Sequence, residues 1–122
     1  MWDSKRKAKT NITTLIGPGT QVIGELNFTG GLHVNGSVKG NVLGNESDPT
    51  AVLVVGENAA IDGEVRAPQI ILGGTVAGDV HGEYVELGEH AKVRGNIYYH
   101  RLEMAIGAEV NGQLIHLEPK TA

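Results

Sequence analysis

Cysteine is absent from the 122 residues, which excludes disulfides and thiolate-ligated metals and suits a reducing compartment. Aromatic residues make up only 4%, with one Trp and one Phe, so bulky rings do not build the core. There is no apolar run of about 18 residues, so no helix is expected to span a membrane. The opening residues lack the apolar stretch of a secretory signal, and a cytoplasmic location is expected. The chain also lacks a Gly-x-x-x-x-Gly-Lys-Ser/Thr phosphate loop, so assembly or catalysis driven by a nucleotide is not indicated. No cofactor and no metal are expected.

Glycine, in contrast, is abundant: 18 of 122, about twice its usual share. The net charge of −4 is unevenly spread. Lys5, Arg6, Lys7 and Lys9 stand against Asp3 alone in the first ten residues, giving +3, while the remaining residues carry −7. A basic tip on an acidic body reads as an address for an anionic surface. Nucleic acid is not expected as a partner, because the acidic body repels phosphate and no aromatic residues interleave with the basic ones.

A five-residue pattern of aliphatic, any residue, glycine, any residue, aliphatic fills most of the chain. It occurs as Val22–Leu26, Val38–Val42, Ile61–Val65, Val76–Val80, Val93–Ile97 and Val110–Leu114. Its glycines are Gly24, Gly40, Gly63, Gly78, Gly95 and Gly112, at steps of 16, 23, 15, 17 and 17. Between the copies lie short apolar pairs such as Leu53-Val54-Val55 and Ile70-Ile71-Leu72, with the alternation of a strand. A step near 17 with period-two apolar spacing points to stacked β coils. Each coil reads as two or three short strands separated by bends. One coil cannot bury its apolar residues alone, but a stack of about six can. The one long step holds the turn formers from Leu43 to Thr50, read as a surface loop without a role.

The register makes specific predictions. Val76, Val93 and Val110 should form one internal column, and Val80, Ile97 and Leu114 another. Asp79, Asn96 and Gln113 should form a polar ladder outside, Lys92 should stack on Glu109, and Glu86 on Glu103. Each motif glycine, set between two inward aliphatics, is expected to point inward and leave room in a narrow core.

Thr14-Leu15-Ile16-Gly17-Pro18-Gly19-Thr20, followed by Ile23-Gly24-Glu25-Leu26, resembles the start of a bactofilin. Leu32–Gly40 is similar to that family's second repeat, and Val54-Val55-Gly56-Glu57 and Val76–Val80 continue it. The resemblance implies an all-β, single-domain, right-handed parallel β-helix of about six coils over residues 14–117. A basic tail (1–13) and a short C-terminal tail (118–122), both expected to be disordered, would flank it. It also implies a bacterial cytoskeletal scaffold that forms non-polar filaments without a nucleotide. Such a scaffold would bind the inner face of the cytoplasmic membrane through its N-terminal segment and recruit cell-shape or cell-wall proteins. Members often carry Phe in the last glycine motif, where it supports polymerisation; here the position is Val110.

The ends of a β coil stack leave open backbone edges that template further strands unless capped. No capping helix is evident. Leu15, Ile16, Leu26 and Phe28 are candidate contacts at the N-terminal end, and Leu102, Met104, Val110, Leu114 and Ile115 at the C-terminal end. Met1 and Trp2, with the four basic residues that follow, are candidates for the membrane contact: Trp lodges at headgroup depth and each cation adds about 1 kcal/mol on an anionic leaflet.

Two other readings are a left-handed hexapeptide-type enzyme, either acyltransferase or zinc carbonic anhydrase, and a soluble β-helical adaptor. Zinc catalysis requires three converging ligands. His81, His100 and His116 are the candidates, but in the 17-residue register they do not share a column. Solvated surface histidines are the simpler reading, and no catalytic residues are assigned.

Overall fold

The computed structural model describes residues 12–118. Every regular element among them is a β-strand, and every strand pairing is parallel. The chain winds as a parallel β-solenoid of about six coils, each contributing one strand segment to each of three faces. Coil one holds β1 (Ile12–Ile16), β2 (Gln21–Ile23) and β3 (Leu26–Phe28). Coil two holds β4 (Gly31–Val34), β5 (Ser37–Lys39) and β6 (Val42–Gly44); coil three holds β7 (Val52–Val55), β8 (Ala60–Asp62) and β9 (Val65–Arg66). β10 (Gln69–Leu72) and β11 (Thr75–Ala77) lead into β12 (Val80–Leu87), which turns the corner from coil four into coil five without a break. β13 (Lys92–Arg94), β14 (Ile97–Met104), β15 (Glu109–Asn111) and β16 (Leu114–His116) complete the stack.

Each face has one stacking order. The first runs β1-β4-β7-β10 and then through the second halves of β12 and β14. The second runs β2-β5-β8-β11-β13-β15. The third runs β3-β6-β9 and then through the first halves of β12 and β14 to β16. Six layers at ~4.8 Å give a rod about 29 Å long.

The expected columns are present. Val76 pairs with Val93 and Val93 with Val110; Val80 pairs with Ile97 and Ile97 with Leu114. The core is built from such stacked aliphatics: Leu32, Leu53, Ile70 and Val85 on the first face, Val38, Ile61, Val76 and Val93 on the second, and Val42, Val65, Val80 and Ile97 on the third, all buried. No polar or charged side chain is buried among the described residues; apart from Phe28, the core is aliphatic. Lys92 stacks on Glu109 and Glu86 on Glu103, as the register requires.

The motif glycines sit at the corner between the second and third faces and do not point into the core. A Cβ built on Gly40 would overlap the carbonyl oxygen of Gly24, and one on Gly63 would overlap that of Gly40. The glycine column therefore runs along the stack axis, carbonyl against α-carbon. At Gly63 the backbone also takes φ +156, a region L side chains rarely adopt.

The polar ladder forms at three of the residues that follow the glycines, and through the backbone. The Asn41 side-chain oxygen accepts from the Glu64 N–H (2.9 Å), Asp79 from Asn96 N–H (3.0 Å) and Asn96 from Gln113 N–H (3.0 Å). These side chains satisfy corner donors that the turning backbone leaves without a strand partner.

The inserted loop has a structural role. Asp48 accepts a hydrogen bond from the Gly30 N–H (2.8 Å), tying the loop to the corner where coil one becomes coil two. Hydrogen bonds from the Thr50 hydroxyl and from the Gly30 and Thr50 N–H groups hold the Asp48 carboxyl below its usual range.

Candidate assembly surfaces at the ends of the stack

The inward columns are sealed in the middle coils and open at the C-terminal end. On the third face, Ile97 is fully buried, while Leu114, its partner in the last coil, is 44% exposed. On the first face, Leu87 is 1% exposed and its partner Met104 is 44% exposed. Leu102 and Val110 continue the Val85 and Val93 columns and are half-buried. Four of the five predicted C-terminal contacts thus converge on one apolar end.

Ile115 does not belong to that set. It pairs with Tyr98, which pairs with His81, and the Tyr98 and His81 rings stack at 4.3 Å on the outside of the third face. Alternation along β16 therefore turns Ile115 outward while Leu114 faces the core axis.

The N-terminal end is more nearly closed. Ile16 and Phe28 are buried, and Leu26 is half-buried. Phe28 is paired with Gly44, so the largest side chain of its column stands against the smallest. Leu15, expected among the end contacts, pairs with the outward His33 and is 60% exposed on the outer side of the first face. Val22 was missed by sequence reasoning although it is the first-coil member of the column that ends in Val110. Its place in the first glycine motif was the available signal. Ile106, 98% exposed in a turn of the last coil, has no periodic signal that would have found it.

Met1, Trp2, Lys5, Arg6, Lys7 and Lys9 lie outside the described residues. No described helix is long and apolar enough to cross a membrane.

The histidines do not converge. His81 stacks on Tyr98, His116 pairs with Tyr99, and His116 Nε2 lies 3.1 Å from the His100 carbonyl oxygen. No group of three or more His, Asp or Glu side chains suited to a metal ion occurs among the described residues. His81 instead lies 3.2 Å from Glu64, and Arg66 pairs with the same carboxylate at 2.8 Å on the surface.

Residues 14–115 match the family model described as bactofilin, polymer-forming cytoskeletal. The chain belongs to the bactofilin family. A search of curated protein sequences gave no significant match. Among solved structures, the chain is similar to a Thermus thermophilus bactofilin reconstructed by cryo-EM as double helical filaments. The two share 30% identity and a TM-score of 0.72, over 84% of this chain and 98% of that one. For a bactofilin, the open C-terminal end and the flat faces of the stack, more than any cleft, are the surfaces of interest. A concavity of about 660 Å³ lies between the inserted loop and the third face and is lined by side chains that include Asn27, Asn45, Glu64 and Arg66. It gathers no convergent catalytic set.

Proposed function

We propose that this bactofilin is a cytoskeletal scaffold that polymerises end to end, without nucleotide, on the inner surface of the cytoplasmic membrane. There it recruits cell-shape or cell-wall factors. One observation carries the polymer reading: core columns buried throughout the stack emerge exposed at Met104 and Leu114. A second end laid against them removes that apolar surface from water and pairs the open strand edges. If like ends meet, each contact is self-complementary, and two contacts per subunit give a filament without polarity. From the Thermus relative we carry over a two-strand filament. The membrane reading draws on Trp2 and the basic cluster, a weak anchor singly that a filament multiplies.

Negative-stain microscopy without added nucleotide tests the polymer. Leu114→Arg and Val110→Arg should each shorten filaments to rods of few subunits, and Ile115→Arg should leave them long. Intact filaments in both Leu114→Arg and Val110→Arg would sink the end assignment.

A further inference from the structure

We infer that the outer surface of the first face, over coils one to four, is where two filament strands lie against each other. This rests on the end-to-end, two-strand polymer proposed above. Leu15, His33, Val54 and Ile71 occupy one outward column in four successive coils. Leu15 is 60% exposed, and the other three are half-buried by their neighbours. The column then changes character to Glu86 and Glu103. The other faces interleave charge with their outward apolar residues: Ile23 leads a column that continues through Lys39, Asp62, Ala77 and Arg94 on the second, and Leu43 and Ile115 flank Arg66, His81 and Tyr98 on the third. The first-face column, a stripe apolar at three of its four positions, is a contact surface that the fold itself does not require.

Its size says when it works. Four coils by four residues cover roughly 20 Å by 13 Å, about 260 Å². A stable interface takes about 800 Å² per partner, so isolated subunits do not pair through it. When N-terminal ends meet about a twofold axis through the first face, the two Leu15 side chains adjoin. The stripes then fuse into one of eight coils, and the filament repeats it. Many weak contacts on a rigid strand act together, so pairing follows polymerisation. At the other end of each stripe, Glu86 and Glu103 adjoin Tyr84, whose hydroxyl donates to Glu86 (3.1 Å), and Arg101 lies over the Tyr84 ring. This polar cluster separates one fused stripe from the next, at a spacing of two subunits, about 58 Å. An anionic leaflet would favour cations around the stripe, whereas carboxylates follow it here, so a second strand is the better occupant.

The test is electron microscopy of Val54→Lys/Ile71→Lys beside the unaltered protein and Thr75→Lys, a control on the second face. The expected result is paired strands in the unaltered protein and in Thr75→Lys, with single strands of undiminished length in the double variant. Paired strands in the double variant would overturn the assignment, as would single strands in the unaltered protein. Absence of any filament in the unaltered protein would refute the polymer reading and the pairing with it. If the lysine variant forms no filament, Val54→Thr/Ile71→Thr decides by the same loss of pairing. Co-sedimentation with phosphatidylserine–phosphatidylcholine vesicles separates the lipid alternative: a variant that stays paired but loses vesicle binding overturns the inference.

Discussion

Two separate physical causes select glycine at the second corner of each coil, and substitution by alanine can pull them apart. At Gly24, φ is +122 and a Cβ meets nothing within 4 Å, so Gly24→Ala carries backbone strain alone. At Gly112 no positive φ is present, but a Cβ would overlap the Gly95 carbonyl oxygen, so Gly112→Ala carries the steric conflict alone. Gly78 has both: φ is +152, and a Cβ would overlap the Gly63 oxygen and approach its carbon to 2.7 Å. Left-handed strain costs about 1–2 kcal/mol. Overpacking against backbone costs about 1–3 kcal/mol. Gly78→Ala should therefore lose about 2–5 kcal/mol, a large share of the ~5–15 kcal/mol that holds a domain folded. Gly24 and Gly112 both lie in end coils, which can fray, so they are matched to each other and set lower bounds. The assay is thermal unfolding followed by circular dichroism in a Met104→Arg background, which sets a charge in the proposed end contact on the first face, away from the glycine corner. Each kcal/mol should move the midpoint by about 3–5 °C in a chain of this size. If Gly78→Ala unfolds no earlier than Gly24→Ala, carbonyl stacking does not select the glycine column.

Asp79→Ala removes the acceptor for the Asn96 N–H and should cost about 1–2 kcal/mol by the same unfolding assay, with Asp79→Asn recovering most of it. Burial first, and then Glu86 and Glu103, push the Tyr84 hydroxyl up to about 12. Its folded pKa lies above the unfolded value near 10, so its stabilising contribution is complete below about pH 10 and is lost as pH rises through 12. Phenolate absorbance should show one of the three tyrosines ionising late, and Glu86→Gln should bring that titration earlier. Deleting residues 1–10 should abolish co-sedimentation with anionic vesicles while leaving filaments intact; unchanged binding would reject Trp2 and the basic cluster as the anchor. Asp48→Ala should speed proteolysis within residues 45–51, because the loop loses its bond to Gly30.

The stack could be read from the sequence because a solenoid repeats one short-range rule. Val76, Val93 and Val110 fall 17 apart, and strand alternation sends them inward, so register followed from counting. Alternation also contained the correction to Ile115 and Leu15, because each neighbours an inward residue in its strand. Hydrophobicity alone grouped them with the ends. The glycine direction was not legible. It depends on where the preceding coil places its carbonyl, a contact between residues 15 to 23 apart that no local pattern states. Nor was the bond from Asp48 to Gly30, whose partners lie 18 residues apart with no repeat to relate them.

The same regularity explains why the proposed assembly sites lie where they do. In a solenoid every interior coil has its donors, acceptors and apolar columns satisfied by the coils on either side, so sequence identity there is spent on stacking. Only the first and last coils and the outward columns are free to differ. The chain differs at those places. Met104 and Leu114 remain apolar where a capped repeat would turn polar, and Leu15, Val54 and Ile71 remain aliphatic along an outward column, where the second face turns to Lys39 in coil two and Asp62 in coil three. Departures of both kinds leave apolar surface exposed among the described residues. One lies along the stack axis and the other across it, so a protein with both can grow in length before it grows in width. The order follows from area: an end exposes three strand edges and several core columns at once, whereas the side stripe becomes large enough only after subunits are joined.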